Sequence, residues 1–269
     1  MTVSSNLGDW AVAMEQQLQA DNPTAVAALA QVVLKRLPRH LPTYQRLLRA
    51  AWSLHRWEEG EEWGRRLLRV DPGNPFAWRA LAMAAEQRGQ RAQAHAIWQR
   101  ALEADPYAPT IRSGLSRTTL RPTDGQTTLA GETPAVMLNL ACLATLQMRG
   151  QHWEQAAATY QALLQAEPRR VDFQVGRLAA LWQQRARQAA YRLARQLTQQ
   201  HPQLLIAWVV LRSLGDDNDR ALAQNPIDML DPDGDFVSSW VGVHYESQPV
   251  MLEVAEGEAA LLATMMREP

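Results

Sequence analysis

With 269 residues, 46% of them hydrophobic, and a formal net charge of −1, the chain can bury a continuous core but offers no bulk charge for nucleic acid. It has no run of about 18 apolar residues, which argues against a helical membrane span, and Met1 to Trp10 lacks the basic start and apolar stretch of a secretion signal. One cysteine, Cys142, excludes an internal disulfide and suits a reducing compartment, so the expected location is the cytoplasm.

Along the chain, Pro38, Pro72 and Pro106 are evenly spaced, and Pro168 and Pro202 repeat the same step. A fixed period of about 34 residues marks a stacked helical repeat. The step from Pro106 to Pro168 is almost twice as long, so a single insertion is expected. Repeats starting at Leu7, Leu41, Pro75, Met137 and Val171 put Trp10, Tyr44, Trp78, Leu140 and Gln174 at the fourth position. Ala13, Leu47, Leu81, Leu143 and Arg177 follow at the seventh. Residues three and four apart share one helix face, so each repeat opens with an amphipathic helix A. A second helix, B, is expected over 60–70, 92–104, 153–166 and 188–200. Each ends at a proline that cannot continue it. The eighth and twentieth positions pair as Leu48 with Gly60, Ala82 with Ala94, Ala144 with Ala156 and Leu178 with Ala190. At least one member is always small, as close backbones require.

In the third repeat, Trp78-x2-Leu81-Ala82-x2-Ala85, then Ala94-x3-Trp98, then Pro106, resembles the tetratricopeptide (TPR) pattern. Leu140-x2-Leu143-Ala144, Ala156-x3-Tyr160 and Pro168 resemble it too, whereas Gly64, Gln174 and Arg177 depart from it. The resemblance covers 7–108 and 137–202 and implies an all-α, right-handed α-solenoid of helix pairs. The expected division is repeats one to three at 1–108, an inserted loop or linker at 109–136, and repeats four and five with a capping helix at 137–225. An acidic, non-repeat region at 226–269 is expected to dock on the array.

The inserted stretch is rich in Thr, Ser, Gly and Pro, as an exposed loop would be, although 110–120 has the makings of one more helix. Thr118, Thr119, Thr127 and Thr128 beside Arg117 and Arg121 offer a phosphorylation motif, but a plain linker explains them as well. Another first helix starts over 204–214, with a short polar partner stopped at Asn225-Pro226. Beyond a turn-rich acidic segment, 228–235, come alternating apolar residues over 236–245 and an amphipathic helix over 250–266. Residues 203–269 carry twelve acidic side chains against three arginines, leaving about +8 on the repeats and −9 on the tail. That segregation favours contact between the two, with Phe236, Trp240, Val241 and Tyr245 as apolar anchors. A cap on the end of the array is preferred over occlusion of its groove.

Catalytic and cofactor motifs are missing from the sequence: it shows no nucleophile elbow, no phosphate-cradling loop and no dinucleotide fingerprint. The six histidines have no ligand spacing. Asp231-Pro-Asp233-Gly-Asp235 lacks the bend and the bidentate ligand of a calcium loop. No enzyme, cofactor or metal site is therefore expected, and Cys142 reads as a small buried residue.

The TPR resemblance implies that helix A lines a concave groove. Carried onto this chain, the groove positions give Arg46, Arg49 and Trp52 from repeat two, Phe76, Arg79 and Met83 from repeat three, and Trp182 from repeat five. Arginine beside aromatic surface suits acidic or amphipathic peptides. The groove positions that grip a carboxylate terminus in some relatives read Gln45, Arg49 and Ala80, so that clamp is absent. The expected function is a protein- or peptide-binding scaffold, an adaptor or assembly factor of bacterial type, with oligomeric state open. One alternative is a permanent subunit of a larger complex. The other is an RNA-binding repeat, which would need a continuous basic track that the sequence does not show.

Overall fold

The computed structural model describes residues 1–119, 138–241 and 249–266. Helices pack on their neighbours in the chain, the arrangement of an all-α solenoid. Two compact units divide it, one from Met1–Asp71 with Tyr191–Pro269, the other from Pro72–Ala190.

The first unit contains the helix pairs α1 (Leu7–Gln19) with α2 (Pro23–Arg36) and α3 (Leu41–Ser53) with α4 (Trp57–Val70). The second contains α5 (Pro75–Gln87) and α6 (Arg91–Ala104), then α7 (Pro109–Thr118), α8 (Leu140–Arg149), α9 (Trp153–Ala166) and α10 (Val171–Gln183). The first unit resumes at Tyr191, within α11 (Arg187–Gln200), and continues with α12 (Leu205–Leu214), α13 (Asp217–Leu230) and α14 (Asp235–Val241). Asn22, Asn74, Asn139 and Asp216 cap their helices, each accepting a bond from an early backbone amide. Ala82, Ala94, Ala144, Ala156, Leu178 and Ala190 are all fully buried, Ala82 and Ala94 share one core, and Leu48 lies 3.8 Å from where a Cβ on Gly60 would stand.

Two periodic features set the joints. Each linking proline has its carbonyl bonded by the side chain six residues on. Trp78 Nε1 donates to Pro72 at 2.8 Å, Arg112 Nε to Pro106 at 2.9 Å, Gln174 Nε2 to Pro168 at 2.9 Å and Trp208 Nε1 to Pro202 at 2.7 Å. The Tyr44 hydroxyl does the same to Pro38. Gln174 thus departs in bulk from the pattern but keeps the donor. Within each pair the turn passes through one residue of positive φ: Asp21 (53°), His55 (54°), Gly89 (69°), Gln151 (60°) and Arg185 (61°). The amide after each bonds five residues back, for example Gln90 to Ala85 at 3.0 Å and Ala186 to Leu181 at 3.0 Å, closing the helix in a Schellman turn.

Only one of the five turns has glycine, and a side chain in that backbone region costs roughly 1–2 kcal/mol. We expect Arg185→Gly to raise stability by about 0.5–1 kcal/mol and Gly89→Ala to lower it by a similar amount. Nothing lies within 4 Å of a Cβ added at Gly89, so its loss would be backbone strain alone. Denaturant melts that leave both variants at the wild-type midpoint would refute the strain.

Several expectations need correction. Of the stretch read as an inserted loop, residues 109–118 form α7, the further helix that 110–120 had the makings of; Arg112 falls one repeat period after Trp78, so α7 is a further first helix in register. Residues 120–137, including Thr127 and Thr128, lie outside the described residues. Asn225-Pro226 does not stop α13, which runs on to Leu230. Leu222, whose carbonyl loses its donor at Pro226, is on the exposed side, where water can replace the bond, while Ala223, Ile227 and Leu230 anchor the other side. Leu140 and Leu143 are 46% and 45% exposed where a buried face was expected.

The largest departure is at the two ends. Residues 250–266 are not one helix but contain a strand, β2 (Met251–Ala255), followed by α15 (Glu256–Met265). Its partner is β1 (Thr2–Asn6), antiparallel, with Thr2 opposite Ala255 and Asn6 opposite Met251. Leu252 and Val254 alternate inward with exposed neighbours, the period of a strand. With Leu262 of α15 they close a core of Leu7, Trp10, Met14, Val26, Leu29 and Val33. The last part of the tail, β2 and α15, thus covers the first helix pair. Glu258 fastens it: it accepts from Arg36, from the Ala255 amide at 3.0 Å and from Lys35 at 3.2 Å. These bonds, that of Arg36 foremost, hold its carboxyl at about 2.

Candidate partner-binding surface

In the first unit, α3 carries Arg46, Arg49 and Trp52. Its first turn is anchored by His40, wholly buried, whose Nδ1 lies 2.8 Å from Thr43 Oγ1. Arg49 grips Glu15 of α1 with Nη1 at 2.9 and 2.8 Å from the two carboxylate oxygens. Arg46 is drawn between Glu15 at 3.9 Å and Asp235 at 3.5 Å, while its Nε and Nη1 are buried without a hydrogen bond. Trp52 turns aside to meet Trp57 edge-on, with ring centres 5.3 Å apart. The three residues therefore stand on one helix, but their chemistry is largely engaged within the chain.

The acidic turn before α14 supplies part of that engagement. Its three carboxylates go to three different tasks. Asp231, 1% exposed, caps α14 by accepting from the amides of Phe236 and Val237 at 3.0 and 2.8 Å. Asp233 lies 3.3 Å from His40 Nε2, and Asp235 faces Arg46. Burial, with the neighbouring Asp233 charge, pushes Asp231 up to about 6. The hydrogen bond and charge of His40 hold Asp233 below the usual carboxylate range. Phe236 and Val237 share a small void with Leu205, Ile206 and Val209 of α12. Trp240, Val241 and Tyr245, expected as further anchors, lie outside the described side chains.

In the second unit, α5 carries Phe76, Arg79 and Met83 along one face. The Arg79 guanidinium stacks over the Phe76 ring, 4.4 Å from its centre, and Nη1 donates to Thr110 of α7 at 3.2 Å. Arg117 of α7 reaches the same face, 3.8 Å from the Met83 sulfur and 3.2 Å from Glu86. Beneath it, Trp98 is 1% exposed, donates to Glu86, and packs with Ala82, Ala94, Ile111 and Leu115. Trp182 is half-buried on α10. The structure thus groups Phe76, Arg79 and Met83 and adds Arg117 and Thr110, which were assigned to an insertion and so missed. The position of Arg112, one period after Trp78, was the available signal.

Residues 75–118 match the family model of the tetratricopeptide repeat. That stretch is of the TPR type. It comprises α5, α6 and α7, the part of the second unit packed around Trp98. No curated protein matches the chain. Among solved structures, that of Naa15/Naa10 bound to HypK-THB aligns with 97% of this chain and 34% of its own, at 13% identity and a TM-score of 0.32. The chain thus spans about a third of that protein's length. The all-α fold is read from the chain's own helix packing. Among the described residues no helix is long and apolar enough to cross a membrane.

The second unit also contains an internal ion cluster that needs no partner. Arg170 bonds Glu103 and Asp172 at 2.6 Å each, and Arg100 approaches Asp172 at 3.5 Å. Asn139 donates to Glu103 at 2.9 Å, so the cluster ties α6 to the starts of α8 and α10. Burial raises both Glu103 and Asp172. Cys142 is fully buried nearby, its thiol also pushed up by burial.

Proposed function

We propose that this protein is a TPR-type, non-enzymatic scaffold, an adaptor or assembly factor of the cytoplasm, that holds a protein or peptide on the α5 and α7 face of its second unit. TPR repeats are in general protein-interaction modules, which supports the broad class. The observation that supports this face is the Phe76–Arg79–Met83–Arg117 group, a flat guanidinium on an aromatic ring beside a thioether and a second arginine. Such a surface offers charge-assisted hydrogen bonds and an apolar anchor to one acidic or amphipathic segment. Arg46 and Arg49 are the weaker candidates: like Arg117 with Glu86 they have carboxylate partners, Glu15 and Asp235, but Trp52 turns to Trp57 and leaves no aromatic anchor beside them.

The test is a cross-linked pull-down from native lysate with the wild type, Phe76→Ala with Arg79→Glu, and Arg49→Glu. The double variant is expected to lose at least tenfold of the captured partner while retaining its helical signal, and Arg49→Glu to retain it. Capture undiminished in the double variant would remove the site from α5.

A further inference from the structure

The first unit contains a cleft of about 830 Å³ that none of the groove positions predicts. One wall is the end of α4 and the start of α3, with Arg66, Arg69 and Tyr44, and Arg39 stands just before it. The other wall is α12 and α13, with Trp208 and Met229. Among the described residues no acidic side chain lines it. Arg66 lies over Trp63, 4.5 Å from the ring centre, and 5.7 Å from that of Tyr44, which orients its guanidinium in advance. It also pairs with Glu62. Arg39 and Arg69 are exposed and, among the described residues, make no side-chain hydrogen bond or ion pair. Trp208 is held in place by its bond to Pro202, and Met229 is 37% exposed.

Three guanidinium groups, two of them without a partner among the described residues, face one space together with two aromatic rings and a flexible thioether. Elsewhere in this unit arginines have found carboxylates: Arg36 has Glu258, Arg46 and Arg49 have Glu15, Arg65 has Glu61. The cleft is where that pairing is left incomplete. Carboxylates accept paired bonds from guanidinium groups, while Trp208, Tyr44 and Met229 suit a large apolar side chain. We propose that this cleft is a second binding site, for an acidic peptide segment that carries a large apolar side chain among its carboxylates. The proposal rests on the scaffold reading but uses different residues, on both helices of repeat two and the turn before them and on α12 and α13, from those of the α5 face.

The probe is a fluorescein-labelled octapeptide in which glutamate alternates with leucine and phenylalanine, followed by fluorescence anisotropy on the full chain. Saturable binding is expected, weaker at high salt, as exposed charges require. Arg39→Glu with Arg69→Glu should weaken it at least tenfold. Neither arginine has an internal partner among the described residues, so the thermal midpoint should stay near wild type; Arg39→Gln with Arg69→Gln should fall between. Phe76→Ala with Arg79→Glu should bind this probe as the wild type does. No saturable binding, equal binding by the glutamate variant, or a stronger preference for single-stranded oligouridylate would each overturn the proposal. The two readings fail separately: a pull-down insensitive to the α5 variant sinks the α5 site alone, and probe binding insensitive to Arg39 and Arg69 sinks the cleft alone.

Discussion

Trp98→Ala should destabilise the second unit by about 3–5 kcal/mol, the range for removing a large buried aromatic side chain. Its indole is 1% exposed and fills the space between α5, α6 and α7. The space is shaped for it, because a Cβ added at Gly114 of α7 would lie 2.3 Å from the ring. Gly114→Ala should therefore cost about 1–3 kcal/mol through overpacking, although alanine favours an isolated helix by roughly 1 kcal/mol. The two substitutions should not add, because in the Trp98→Ala background the alanine at 114 meets a void and should become neutral or favourable. Urea unfolding of the four chains measures this directly. Additive losses would show that Trp98 and Gly114 are not packed as described.

Ending the chain at Pro249 should have a comparable or larger effect on the first unit. The truncation removes β2 and α15, with Leu252, Val254 and Leu262, buried to 4%, 0% and 7% exposure. Each such side chain is worth about 1.5–3 kcal/mol, so a loss of roughly 6 kcal/mol is expected. Leu7, Trp10 and Met14 would also be uncovered. Hydrogen exchange should show lost protection across α1 and α2 while α5, α6 and α9 keep theirs. Unchanged protection of α1 would mean that the ribbon adds little.

Much of the architecture could be read from the sequence because it is local and repeated. Five prolines placed the joints, and alternating large and small residues placed the contacts between paired helices. What was misread depends on the kind of bond a residue makes, not on its size. Gln174 and Arg112 look wrong for an apolar position, yet each supplies the hydrogen that the proline carbonyl requires. The β1 and β2 ribbon was hidden for another reason. Thr2–Asn6 is too short to announce a strand by itself, and its partner lies near the opposite end of the chain. The candidate surface was legible by position, since Phe76, Arg79 and Met83 do share a face. It was not legible by availability, because the carboxylates that engage Arg46 and Arg49 come from α1 and from the tail. The aromatic and arginine cleft was invisible, as its walls come from two separate segments, 39–70 and 202–230, with the whole second unit between them in sequence.

The division of the chain also sets an order of events at the ribosome. The second unit is one uninterrupted stretch, Pro72–Ala190, whereas the first needs both Met1–Asp71 and Tyr191–Pro269. A polypeptide emerging from its N-terminus therefore releases Leu7, Trp10 and Met14 long before Leu252, Val254 and Leu262 exist to cover them. Joining the most distant segments carries the largest loop-closure cost, so it comes late. During that interval the second unit can already be formed, while the earliest-made helices still present an uncovered apolar flank. A stalled or prematurely terminated product would keep that flank permanently, which marks it for chaperones and proteases in a way the finished molecule does not.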